Sequence, residues 1–388
     1  MMKPRTEEKK VEYLELIYDL IFVYVVGRNN SLLHNLTNGF VEIPVFLAYV
    51  LSSLAIIQIW NFSTFYTNMY GRNGARDHVF MFVNMYLLYY IGEGTRVHWE
   101  SFQTQYHIAW ALILINIGLQ YALELRRQED NPAAKKTVRG LMIALFGEAA
   151  VVLAAIPVFL FTGVQLAGVA ILFDIAATCL LTLGNRSGLV DFTHLSERAM
   201  LYVVFTFGEM IIAVASYFEG GFSGFSVYFS GMSFLLVVGL FLCYELLYNR
   251  IIDREKQTSG MGYMMLHIFL LFGLNNITTS LEFMRNEEVL LWPKTAMLVG
   301  SFLLLFICLF ALLLFAKPQM RRCKRVLIPA CALSVLFVAA MLLLREQMSL
   351  NILITVLYVF TMFFLLFFFS RRRKGQPLPE TCITRTDT

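Results

Sequence analysis

Charge is scarce in this chain. Only 15% of its 388 residues are Asp, Glu, Lys or Arg, against about 25% in a soluble domain. The longest polar stretches run to about fifteen residues, too short to fold as a water-soluble domain. The six cysteines (Cys179, Cys243, Cys308, Cys323, Cys331 and Cys382) show no C-x-x-C spacing and no histidine at metal-binding distance in sequence. That excludes the usual zinc and redox motifs. Most sit in or beside apolar runs, where Cys behaves as a small apolar residue. No Gly-rich phosphate loop, no G-x-S-x-G elbow and no C-x-x-C-H haem site occurs. The net charge of +4 needs no nucleic acid to explain it, because the basic residues flank apolar runs and form no single patch. Residues 1 to 10 are polar and the first apolar run carries two carboxylates, so no cleavable signal peptide is expected.

What the chain has in abundance is hydrophobic length. Its hydrophobic fraction is 58% and its mean hydropathy +0.65. Twelve apolar runs, each about the twenty residues needed to cross a ~30 Å hydrocarbon core, read as 12–34, 43–67, 77–95, 104–126, 138–162, 164–184, 193–217, 226–250, 260–284, 293–316, 325–344 and 350–370. Numbering the gaps between them separates the basic residues sharply. With basic residues in the end turns of a span counted to the adjoining gap, the two ends and the even-numbered gaps hold 26 of the 31 Lys and Arg. Loops that keep Lys and Arg stay in the cytoplasm, so both termini are expected inside. Trp99 and Trp292 fall on the opposite, outer side, as interfacial aromatics do. Pro293 falls at a span start, where a missing N–H is harmless, whereas Pro157 and Pro329 inside spans should kink or end them. The basic tail Arg371, Arg372, Arg373 and Lys374 marks a stop at the inner surface.

The fold class is therefore an all-α integral membrane protein of about twelve transmembrane helices. Six spans return the chain to its starting side, which allows two six-helix halves related as a parallel pseudo-repeat. The halves would be 1–190 and 191–370, followed by a cytoplasmic tail, 371–388. Span 1 opens with Glu15-Leu-Ile-Tyr-Asp19 and span 7 with Glu197-Arg-Ala-Met-Leu-Tyr. Spans 10 to 12 hold almost no polar side chains, which suits a lipid-facing surface or a homo-oligomer interface.

Against this apolar background, intramembrane carboxylates stand out. Asp19 lies roughly 9 Å into span 1, Asp174 roughly 15 Å into span 6 and Glu209 roughly 22 Å into span 7, and Glu148 is a fourth in span 5. A charge at a helix centre costs about 2.5–3.5 kcal/mol on the translocon scale. Arg28 is the expected deep basic partner. Such acids are protonated, share protons, line water or hold a cation, unless they only accept hydrogen bonds that lock helices together. His194, Glu197 and Arg198 share a helical face at the inner boundary, with Asp191 placed as N-cap. The H-E-x-x-H pattern of zinc enzymes is missing there. Secondary polar candidates are His34, Tyr66, Asn68 and Asn275. No organic cofactor motif is present, and the expected bound species is a proton or a cation.

The span-1 pattern Glu15-Leu-Ile-Tyr-Asp19-Leu-Ile-Phe-Val-Tyr, the segment Tyr66-Thr-Asn68-Met-Tyr70, Asp174 ahead of His194, and His194-x-x-Glu197-Arg198 leading into Gly208-Glu209 together resemble the bacterial low temperature requirement protein A (LtrA) family. The likeness covers roughly residues 10 to 370. Gly71 and Ala199-Met200 depart from the usual pattern without touching the acids. The resemblance implies a multi-spanning protein of the bacterial cytoplasmic membrane and supplies no established molecular activity. The leading expectation is a secondary transporter or proton/ion-coupled permease. Asp19, Asp174 and Glu209 would be its coupling carboxylates, and Glu15, His194, Glu197 and Arg198 its cytoplasmic gate. The rivals are an integral membrane enzyme or cofactor-binding protein acting on a lipid-soluble substrate, and a sensor or scaffold whose acids are structural. The lipid bilayer is the expected partner.

The asymmetry of Lys and Arg makes a direct prediction. A reporter fused after Lys374 is active only in the cytoplasm, and one inserted in the Glu287–Glu288 loop only outside. An external C-terminus overturns the twelve-span arrangement.

Overall fold

A computed structural model of the chain describes residues 9–94, 99–128, 131–163, 166–184, 190–218, 221–320 and 324–371. Side chains at the edges of these ranges, among them Trp99 and Cys179, lie outside the description, as do Cys323 and the tail 372–388. The helices are α1 (Tyr13–Asn29), α2 (Ile43–Tyr70), α3 (Ala75–Gly94), α4 (Trp99–Leu125), α5 (Pro132–Thr162), α6 (Ala167–Gly184), α7 (Phe192–Ala215), α8 (Gly224–Leu246), α9 (Met261–Arg285), α10 (Leu291–Ala311), α11 (Lys324–Leu343) and α12 (Met348–Arg371). Among the described residues, nine segments are long and apolar enough to cross a membrane. α1, α3 and α6 are not among the nine. α1 has 17 residues and rises only about 25 Å, short of a ~30 Å core. It also carries Glu15, Asp19 and Arg28. α3 begins with Arg76, Asp77 and His78, and in α6, whose side chains from residue 178 onward lie outside the description, the described apolar stretch is Gly168–Ala177.

Local chemistry sets the helix ends. Asn131 caps α5, its side chain accepting from Ala134 N at 3.1 Å, and Pro132 follows at the first helical position. Gly163 ends α5 in the left-handed region at φ 71°. Neither α5 nor α11 ends at its internal proline, Pro157 or Pro329. Between α1 and α2 the chain makes a turn (Asn30–His34) and a two-residue hairpin, β1 (Leu36–Thr37) and β2 (Phe40–Val41). Asn38 and Gly39 both take positive φ, 56° and 85°, the geometry for which Asn-Gly is favoured in a tight hairpin. The Gly39 carbonyl accepts from Leu290 N at 2.7 Å. Leu32, Leu33, Val41, Tyr49, Phe283 and Val289 form a small core beneath the hairpin.

The chain divides into two compact units. The first holds residues up to Ala213 together with Arg254–Leu305, and the second Val214–Asp253 together with Phe306 onward. In the second unit α8 packs on α12 and α12 on α11. Gly239 of α8 sits where a Cβ would come within 2.8 Å of Val359, so the two helices meet through the absent side chain. Phe337 and Tyr358 stack at 4.1 Å between ring centroids.

The first unit is organised around α2. Every residue from Ala55 to Asn68 is buried, so all faces of this helix meet protein, not lipid. The polar residues of that stretch then point in different directions. Gln58 faces α5, Trp60 faces α1, Thr67 and Asn68 face α7, and Tyr66 faces α3. Surrounded on all sides, the helix holds these five side chains because each finds a partner on a neighbouring helix.

Candidate functional site

The charged centre of the first unit is built from α1, α2 and α7. Asp19 is the seventh residue of α1 and Arg198 the seventh of α7. Both side chains have no solvent exposure and they form an ion pair through Asp19 Oδ1 and Arg198 Nη2. Arg198 Nε donates to the other carboxylate oxygen at 3.4 Å, and Nη1 donates to Thr67 Oγ1 at 2.8 Å. Trp60 Nε1 donates to Asp19 Oδ1 at 2.7 Å. Glu15, one turn before Asp19, places Oε1 3.8 Å from Arg198 Nη1. Two carboxylates thus face one guanidinium. Arg28, the basic partner expected for these acids, instead lies 3.6 Å from Glu93. The deep cation is Arg198.

The entry to α7 is fixed by reciprocal amide bonding. Asn68 Oδ1 accepts from the backbone N–H of Asp191 at 3.1 Å, and its Nδ2 donates to the Asp191 carbonyl at 2.8 Å. Those two bonds fix which end of the amide is nitrogen. The same Nδ2 lies 3.0 Å from His194 Nδ1. Since an amide nitrogen only donates, Nδ1 accepts and the neutral ring carries its proton on Nε2. That nitrogen faces Glu15, 3.4 Å from Oε2. Asp191 Oδ1 caps the helix by accepting from His194 N at 3.1 Å. Glu197 lies only half-buried between these inward positions and makes no ion pair or hydrogen bond among the described residues.

At the N-terminal end of α1 a polar vestibule of about 340 Å³ reaches Glu15, with Lys9, Glu12, Gly71, Arg72 and Asp77 in its walls. The Lys9 ammonium caps the end of α2 by donating to the carbonyls of Thr67 and Gly71, the latter at 3.0 Å. Burial pushes its pKa below the ordinary lysine value, against the opposing pull of Glu15.

Deeper along α7, residues 194, 198, 202, 206 and 209 recur at helical spacing on one face. The Tyr202 ring meets Trp60 edge to face at 4.6 Å. Beyond it a cavity of about 10 Å³, the room of one water, is lined by Tyr202, Thr206, Glu209, Asn275 and Thr278. Glu209 lies against α1 where Gly27 has no side chain, with Oε1 3.0 Å from the position a Cβ would take. Asn275 then exchanges amide hydrogen bonds with Asn30, at 2.7 and 3.0 Å, and donates to Tyr49 Oη at 3.1 Å. Tyr49 Oη donates to Asn276 Oδ1 at 2.9 Å. At the hairpin end, His34 Nε2 lies 3.2 Å from Glu282 Oε2. A line of polar groups therefore runs from the vestibule to the hairpin between α1, α2, α7 and α9.

Glu15, Asp19, Asn68, His194, Arg198, Glu209, Asn275 and His34 all belong to this line. Asp174 and Tyr66 do not. Asp174 is buried beside Glu148 of α5, close enough for the two carboxyl groups to act on each other. Glu148 accepts two bonds from Gln58 at 3.2 Å. Tyr66 Oη accepts from Arg76 at 2.9 Å within a network of Arg76, Asp77, Glu124 and Arg127 that ties the ends of α2, α3 and α4. Trp60, Thr67, Tyr202, Asn30, Tyr49 and Glu282 complete the line; Thr67 and Tyr202 lie inside the quoted sequence patterns, and no pattern marks Asn30, Tyr49 or Glu282. Among the described residues, no group of three His, Cys, Asp or Glu is placed to hold a metal ion.

A family model described as Bacterial low temperature requirement A protein (LtrA) matches residues 10–364. No curated protein and no solved structure matches the chain.

The geometry predicts different accessibilities for two positions one turn apart. Glu15→Cys, opening on the vestibule, is modified by a small water-soluble thiol reagent. Asp19→Cys, sealed behind Arg198 and Trp60, reacts at least about tenfold more slowly, as a fully protected site must open first. Equal rates contradict the closed position of the ion pair.

Proposed function

The chain belongs to the bacterial low temperature requirement A (LtrA) family, and we propose that it works as a proton- or ion-coupled secondary transporter of the cytoplasmic membrane. In this reading about twelve helices span the bilayer and both termini face the cytoplasm. The observation that carries it is the polar line through the first unit. A vestibule reaches Glu15 from one end. The Glu15–Arg198–Asp19 centre blocks the way, and Glu209 stands beyond it beside space for one water. A purely structural set of acids has no need of a hydrated approach. A transporter needs a path for ions and a closure within it.

The short, charged first helix supports the same reading, because α1 supplies Glu15 and Asp19. A span loses apolar character where its residues line a path, and the surrounding helices shield it from lipid. Asp19 and Arg198 occupy equivalent depths in α1 and α7, as the opening helices of two halves would. Glu209 is the coupling carboxylate, able to exchange a proton with the small cavity. Glu15, His194 and Arg198 form the gate on the vestibule side, and the Asn30–Asn275 amide pair closes the other side. The Glu148–Asp174 pair lies across α2 from this route and is not required for coupling.

Respiring inverted vesicles test the proposal. With the protein present, at least one compound of a panel of inorganic cations, amino acids and organic amines dissipates the imposed pH gradient. Glu209→Gln keeps the shape but cannot titrate, and it lowers that rate by about tenfold or more, a loss of about 1.4 kcal/mol or more in the coupled step. Glu148→Gln changes it far less. A panel with no protein-dependent response, or a Glu209→Gln variant matching the parent in rate and pH dependence, overturns the assignment.

A further inference from the structure

Glu209 has a second neighbourhood, on the side away from the one-water cavity. There α1 and α7 diverge and leave an open groove of about 630 Å³. Its walls are Leu20, Val23 and Tyr24 of α1 and Phe205, Gly208 and Ile212 of α7. Leu20 and Ile212 are 54% and 68% exposed, on faces that a membrane helix turns to acyl chains. Among the described residues lining the groove, Glu209 is the only Asp, Glu, His, Lys or Arg. No Lys or Arg lines the groove; Arg28 of α1 is engaged by Glu93 with its guanidinium over the Tyr24 ring, and Glu282 of α9 is the charged group that acts on Glu209. The groove is also kept open by design of the backbone: a Cβ at Gly208 would meet nothing within 4 Å.

From these observations we propose that the groove between α1 and α7 is a lateral binding site for a lipophilic cation, whose charge is held by Glu209. The volume falls within the ~300–1,000 Å³ range of sites that take drug-sized molecules. Apolar walls recognise a hydrophobic body. A carboxylate with no fixed counter-charge recognises a positive centre and rejects an anion. Glu209 also touches the small cavity lined by Tyr202, Thr206 and Asn275. It therefore stands between water and lipid, and one carboxylate can serve both. Arrival of the cation displaces the carboxyl proton to the cavity, so one positive charge enters as one leaves. The site rests on the transporter reading and names its substrate class.

The test measures binding, not flux, so that the two proposals stand or fall separately. Purified full-length protein in lipid nanodiscs is titrated with tritiated tetraphenylphosphonium. The expected result is saturable binding that tightens as pH rises through the titration of Glu209, with close to one proton released per cation. Glu209→Gln weakens it by about tenfold or more, a difference of about 1.4 kcal/mol. Gly208→Leu and Ile212→Trp, which keep the acid but fill the groove from one wall, weaken it to a similar degree. Glu148→Gln binds as the parent does. All variants are first required to elute as a single species by size exclusion. No saturable binding to the parent, or binding undiminished in both Glu209→Gln and Gly208→Leu, overturns the site. Equal binding of a neutral triphenylmethyl alcohol overturns the role of charge. Absent binding beside an intact pH-gradient response removes this inference alone. Binding without any such response removes the transporter reading and leaves the site.

Discussion

The first unit depends on one buried ion pair, Asp19 with Arg198. Neither side chain meets solvent. Removing both from water costs several kcal/mol per ion, which attraction offsets only when the remaining donors and acceptors are also satisfied. Here they are. Trp60 and the guanidinium fill the Asp19 oxygens, and Thr67 and Glu15 take the rest of Arg198. The pair therefore pins α7 to α1 across α2 and sets the rotation of all three helices. That rotation is what brings His194 to Glu15 at one end and Glu209 to Gly27 at the other.

Charge balance follows from the same pair. Two carboxylates against one guanidinium leave an excess negative charge when all three are ionised. The Lys9 ammonium in the vestibule wall offsets part of it, and the neutral His194 presents Nε2 to Glu15. Such a centre responds to the arrival of a cation or proton through its own electrostatics. Further along α7, Glu209 has no comparable partner. It is open to a cavity of one water on one side and to an apolar groove on the other. The helix thus carries an ion-paired residue at one depth and, deeper, a carboxyl group with no cationic partner among the described residues.

Depth along a helix was legible in the sequence, and direction across the bundle was not. Hydropathy marked the acids as residues set within apolar runs, and the family resemblance gathered most of the residues of the polar line. Asp174 and Glu209 were grouped as coupling carboxylates, yet they lie on different sides of α2. Arg198 was read as a boundary residue because His194 and Asp191 begin its helix. The 3.6-residue recurrence of 194, 198, 202, 206 and 209 was the available signal. Asn38-Gly39 is a strong hairpin signal, but two-residue strands between long apolar runs are lost in a hydropathy window. Nothing local marks Asn30 as the partner of Asn275, 245 positions away.

The central claim is that Asp19 and Arg198 act as one unit. A double-mutant cycle with Asp19→Asn and Arg198→Met, followed by detergent-induced unfolding of the purified protein, measures that directly. Each single change leaves a partner charge buried and unpaired and is expected to cost about 3–5 kcal/mol. The double variant loses much less than the sum, with a coupling of at least about 1–3 kcal/mol. Additive losses, or single variants as stable as the parent, would contradict the account.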